Sequence, residues 1–148
     1  MVTYKIKWEA YDLEKALKKG FMLEKNFIWY MIFLQKEEWL GISKKRELVY
    51  VGMTCEQTVS ERLLNKHEAL KSCLREMDGN VIIALGAWGG RKKTIDKKTI
   101  KDIEYLMISA FKPRLNGVGV KEYKGIQLSI ISESEQDWDE LNWEIKFS

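Results

Sequence analysis

Glu104 sits where a carboxylate is hardest to explain. On a helix from about Thr99 to Phe111, the residues Ile100, Ile103, Met107 and Phe111 form one apolar stripe. Glu104 lies four after Ile100 and three before Met107, so it projects from within that stripe. A carboxylate there is costly to desolvate unless a cation, donor or metal accompanies it; otherwise it reaches solvent at the domain edge or pairs with a nearby lysine. Arg62 stands three after Val59 and one before Leu63, on the flank of another stripe. A guanidinium there could bind a phosphate bidentately, or be an ordinary helix-surface arginine. Tyr30 and Tyr50 fall in two apolar runs, where a tyrosine commonly serves the core and its hydroxyl finds one partner. His67 is the only histidine, so it cannot supply a histidine-rich metal site, and Cys55 and Cys73 lack zinc-ligand spacing. No P-loop, GxSxG or GxGxxG stretch is present, and Gly86-Ala-Trp-Gly-Gly90 matches none of them. Nucleotide hydrolysis, serine hydrolysis and dinucleotide redox chemistry are therefore not leading readings.

These residues need elements to position them. Residues 4–8 alternate like a short strand, and Asp12–Lys19 reads as a capped helix ended by Gly20. Phe27-Ile-Trp-Tyr-Met-Ile-Phe-Leu34 is eight consecutive apolar residues, the pattern of a strand covered on both faces. A polar connector, Gln35 to Arg46, leads to Leu48-Val-Tyr-Val51 and Gly52, predicting a hairpin with a long connection. One helix is then predicted, starting at Thr54 or Thr58 and closed by Asp78-Gly79, with Val59, Leu63, Leu70, Leu74 and Met77 on its apolar face. Val81–Leu85 predicts a third buried strand, Gly86 to Lys98 a glycine-rich basic loop, and Pro113 the end of the Glu104 helix. Ile126–Ile131 is β-like, and a tail with Trp138 and Trp143 follows. The expected fold is α/β (α+β): a small three-stranded, mostly antiparallel sheet flanked by helices. The expected unit is a single domain over 1–148, with its core at 27–117, an N-terminal extension at 1–26 and a C-terminal extension at 118–148.

The chain has 148 residues, 45% of them hydrophobic, enough for one domain with a real core. Its formal charge of +3 is unevenly spread. Residues 132–148 carry six acidic side chains against Lys146, a net of −5, which leaves +8 on residues 1–131. Basic runs such as Lys44-Lys45-Arg46 and Arg91-Lys92-Lys93 suit phosphate contacts or plain solvation equally well. The two cysteines, placed about 27 Å apart along one predicted helix, do not pair. With no apolar leader and no stretch of bilayer-spanning length, the expected location is cytoplasmic, with no membrane partner.

Taken in order, these residues resemble the GIY-YIG nuclease superfamily. The first tyrosine motif reads Ile28-Trp29-Tyr30, and the second reads Tyr50-Val51-Gly52. Val59-Ser-Glu-Arg62-Leu is similar to the family's arginine segment, and the run from Glu104 through Phe111-Lys-Pro113 to Asn116 is the nearest in spacing. The sequence departs from the pattern in three ways. The first motif lacks its glycine, and the hairpin connection is long. His67 follows Arg62 by five positions where the family often has four, which on a continuous helix turns it about 140° away from the arginine.

The resemblance implies hydrolysis of DNA phosphodiester bonds by an endonuclease. Glu104 would be the sole protein ligand of one Mg²⁺ or Mn²⁺, and Arg62 would neutralise the scissile phosphate. One of Tyr30 and Tyr50 would help deprotonate the attacking water while the other positions water or phosphate; Asn116 would orient the glutamate or brace the site. The DNA partner would be branched or sequence-specific, with selectivity from the connector, the basic loop, the extensions, a homo-oligomer or a protein partner. Two other readings stand beside it. One is a non-catalytic nucleic-acid-binding or regulatory module on the same fold. The other is an interaction domain acting through its acidic, Trp-bearing tail, which could also fold back over the basic surface as a competitor for DNA.

Overall fold

The structure, a computed structural model, describes residues 1–22, 25–37, 44–65, 67–76, 80–89, 95–117 and 122–148. Among these residues six strands form one mixed sheet: β1 (Val2–Asp12), β2 (Phe27–Glu37), β3 (Lys44–Met53), β4 (Asn80–Trp88), β5 (Leu128–Ser134) and β6 (Trp143–Phe147). Their order across the sheet is β3-β2-β4-β1-β5-β6. All neighbours are antiparallel except β1 and β5. Four α-helices are present among the described residues: α1 (Leu13–Lys19), α2 (Val59–Leu64), α3 (Glu68–Arg75) and α4 (Lys97–Phe111). The architecture is α+β.

The expected three-stranded sheet is wrong, and the error has a clear cause. The strands β2, β3 and β4 exist where their apolar runs predicted them, but the stretches read as extensions supply the other half of the sheet. β1 lies between β4 and β5, with Ile6, Trp8 and Ala10 buried on one face. Its intervening residues Lys5 and Lys7 are exposed, so its alternation is diluted by charge. The acidic tail likewise hides β6, whose Trp143, Ile145 and Phe147 are half-buried while Glu144 and Lys146 face out. Leu141 of the tail is fully buried, Trp138 meets Phe33 edge-on, and Arg46 stacks over the Trp138 ring while pairing with Glu140. Those contacts make the tail part of the core.

The single helix predicted between β3 and β4 is two. Thr58 accepts the Glu61 amide and caps α2, Asn65 ends it, and His67 caps α3 by accepting the Leu70 amide. Cys55 therefore lies before α2 rather than on a helix with Cys73, and Leu74, expected on the apolar face, is 55% exposed. Met77 and Asp78-Gly79 lie outside the described residues, as do 38–43 of the hairpin connector and 90–94 of the basic loop.

Two apolar layers cover the sheet. On one face α4 packs Ile100, Ile103, Leu106 and Met107 against Trp29, Met31 and Val51. On the other, α1, α2 and α3 pack Ala16, Val59, Leu63, Leu70 and Cys73 against Tyr30, Ile32, Ile83 and Leu85. Strand β3 is an edge of the sheet, so groups from both layers can meet around it. Among the described residues no helix is long and apolar enough to cross a membrane.

Candidate active site

The hairpin sets the first two side chains. Tyr30 pairs with Gly52 and Tyr50 pairs with Ile32, so the tyrosines lie diagonally on one face with ring centroids 6.0 Å apart. Gly52 is needed for this: a Cβ there would overlap the Tyr30 ring. The register slips between Ile32 and Phe33, leaving Val49 as an extra residue beside Tyr50. Tyr30 is fully buried, whereas Tyr50 is only half-buried.

His67 closes the inner side of the pair. Its Nε2 is 2.7 Å from the Tyr30 hydroxyl, and its ring meets Tyr50 edge-on at 4.8 Å. Because Nδ1 accepts the Leu70 amide at 3.2 Å, the neutral ring carries its proton on Nε2, which donates to the Tyr30 oxygen. Burial, reinforced by the Arg62 charge, lowers the His67 pKa to about 4, so this tautomer holds at neutral pH. The Tyr30 proton is then free to point outward, and burial raises the pKa of both tyrosines. The result is a buried His67–Tyr30 hydrogen bond with the Tyr50 ring packed beside both rings.

Helix α2 places Arg62 half-buried on its flank, with Val59 and Leu63 anchoring the helix beneath. Arg62 forms no ion pair with a described residue, yet its charge acts on Tyr30, Tyr50, His67 and Glu104 alike. Glu104 comes from the opposite layer. It is half-buried on α4 next to buried Ile100, Ile103 and Met107, and it makes no hydrogen bond or ion pair with a described residue. Desolvation raises its pKa to about 7, opposed by the charges of Arg62 and Lys101. Trp29 fixes this helix to the sheet by donating its Nε1–H to the Ile100 carbonyl at 3.2 Å.

Asn116 occupies the strand edge itself. After α4, Lys112 turns the chain in the left-handed region (φ 47°), and Pro113 leads into a 3₁₀ turn at Arg114–Asn116. The Asn116 side chain accepts the Val51 amide at 2.9 Å and donates to the Val51 carbonyl at 2.8 Å. It thus replaces a strand neighbour at the residue after Tyr50, and the bracing role fits it better than contact with Glu104 does.

Of the five residues singled out by sequence, Tyr30, Tyr50, Arg62 and Glu104 converge, and Asn116 secures the strand carrying one of them. A continuous helix would turn His67 away from Arg62, but the break between α2 and α3 removes that constraint. The capping position of His67 just ahead of Glu68-Ala-Leu70 is the signal that could have revealed the break. Among the described residues no three His, Cys, Asp or Glu side chains gather as a ligand set. A divalent cation here would rest on Glu104 plus water, and a desolvated carboxylate without a partner fits that role. Comparison with known proteins yields no matching family model, no matching curated protein and no matching solved structure.

Proposed function

We propose that the chain is a divalent-metal-dependent endonuclease that hydrolyses DNA phosphodiester bonds, in the manner of the GIY-YIG enzymes it resembles. The convergence of Tyr30, Tyr50, Arg62 and Glu104 from two strands and two opposed helices carries this reading. A cation held by Glu104 would supply positive charge to the carboxylate and the scissile phosphate. Arg62, which pairs with no carboxylate among the described residues, binds the non-bridging phosphate oxygens and offsets the charge that grows on them.

Water attacks phosphorus and gives up a proton while the bond to the leaving sugar oxygen breaks. Half-exposed Tyr50 first gives its phenol proton to solvent, its phenolate then takes the proton of the attacking water, and the leaving oxygen is protonated by solvent. Burial and the Glu104 charge raise the Tyr50 pKa, while Arg62 and the Tyr30 hydroxyl lower it. Neutralising Glu104 leaves the two lowering influences opposed by burial alone, which brings the phenolate closer to reach. Tyr30, fully buried, acts on Tyr50 rather than on the substrate.

Supercoiled plasmid and a set of branched DNA duplexes, incubated with Mg²⁺ or Mn²⁺, test the reading. The wild type cleaves at least one of them, and Glu104→Ala does not. Metal-independent nicking, or nicking that survives in Glu104→Ala, contradicts the assigned role. Salt-sensitive binding with no cleavage by the wild type would favour the non-catalytic module.

A further inference from the structure

The turn that delivers Asn116 has no long element behind it, only a three-residue 3₁₀ segment after α4. Leu115 packs the turn against the core, and Arg114 ties it to two other elements. The Arg114 Nε lies 3.0 Å from Glu47 on β3, and its two terminal nitrogens lie 2.8 Å from the two oxygens of Glu76, the residue capping the end of α3. All three guanidinium nitrogens are therefore used, one carboxylate being gripped bidentately. Glu47 is three residues before Tyr50 on the same strand, and the other end of α3 begins at His67. One side chain thus ties together the pieces that carry Tyr50, His67 and Asn116.

We infer that Arg114 is a positioning residue, which acts by locking the Asn116 turn to the β3 edge and to helix α3 rather than by touching DNA. This rests on the nuclease reading for its consequence in catalysis but not for its structural content. Isolated exposed ion pairs are weak because two mobile side chains must be ordered for one contact. A planar fork holding two carboxylates on separate elements differs, since each contact orders the guanidinium for the next. The Val51 amide is a built-in reporter: among the described residues its acceptor is the Asn116 side chain.

Hydrogen exchange at the Val51 amide, followed in the full chain, tests the inference without any need for cleavage. Asn116→Ala sets the scale for a lost acceptor. Arg114→Ala and Glu76→Gln should each speed Val51 exchange by about five- to tenfold, leaving Ile32 and Ile83 in the sheet interior unchanged. Arg114→Lys, which keeps the charge but loses the fork, should fall between wild type and Arg114→Ala. With a cleaved substrate, the same variants lower kcat and leave KM within about twofold. Unchanged Val51 exchange in both Arg114→Ala and Glu76→Gln overturns the clamp. A rise in KM alone, with normal exchange, would make Arg114 a DNA contact instead. If the wild type cleaves nothing while the exchange pattern holds, the clamp stands and the nuclease reading fails.

Discussion

Replacing Glu104 with glutamine should make the protein more stable at alkaline pH. The carboxylate is desolvated on α4 without a hydrogen bond or ion pair to a described residue, and its pKa rises from 4.5 to about 7. A folded-state pKa above the unfolded one means that the folded protein binds the proton more tightly. Stability from this group is thus present below pH 4.5 and lost as pH rises through 7. At 1.36 kcal/mol per decade of proton affinity the ceiling on that loss is about 3 kcal/mol. Because the side chain is only half-buried, solvent screening brings the expected loss to about 1–2 kcal/mol. Glutamine has nearly the same shape and no charge, so it recovers this amount at pH 8 and nothing below pH 4.5. For a chain of this size the gain is roughly 2–8 °C in melting temperature. Urea denaturation of both proteins at pH 4.5 and pH 8 measures it directly. A Glu104→Gln variant less stable than wild type at pH 8 would show that the ionised carboxylate is a structural partner of Arg62. The idea that it awaits a cation would then be wrong.

His67 has the opposite sign. Its pKa falls from 6.5 to about 4, so its contribution is complete above pH 6.5 and is lost as pH drops through 4, by up to about 3 kcal/mol. The two titrations overlap and offset each other in the wild type. Glu104→Gln should therefore uncover a steep loss of stability between pH 6.5 and 4, and His67→Asn, which keeps a capping acceptor, should flatten it; a profile that stays level in Glu104→Gln would refute the buried neutral imidazole. At Gly52, alanine would press into the Tyr30 ring and cost about 1–3 kcal/mol, with cleavage falling as the ring is displaced. Denaturation and cleavage that both match wild type would mean that the close approach of Tyr30 is not needed.

The sequence made the centre of the molecule legible and its margins obscure. Phe27–Leu34 and Val81–Leu85 are strands buried on both faces, and such runs announce themselves without alternation. β1 and β6 are covered on one face and carry lysines and glutamates on the other, so the sequence shows β1 only as a short strand in an extension and β6 as part of a polar tail. Glu104 was readable because a helix spaces its side chains regularly, and α4 is one unbroken helix of 15 residues. The same reasoning fails at His67 because it crosses the boundary between α2 and α3, which no periodicity reports. Arg114 carried no local signal at all: its partners Glu47 and Glu76 are far away in sequence, and only the folded chain brings them together.

Single-turnover cleavage of DNA in Mg²⁺ by Glu104→Gln, compared with wild type at pH 8, tests the central claim most directly. The proposal predicts a variant that is more stable and slower by at least about a hundredfold, because the group removed burdens the fold and serves the chemistry. Cleavage by Glu104→Gln at the wild-type rate would contradict it.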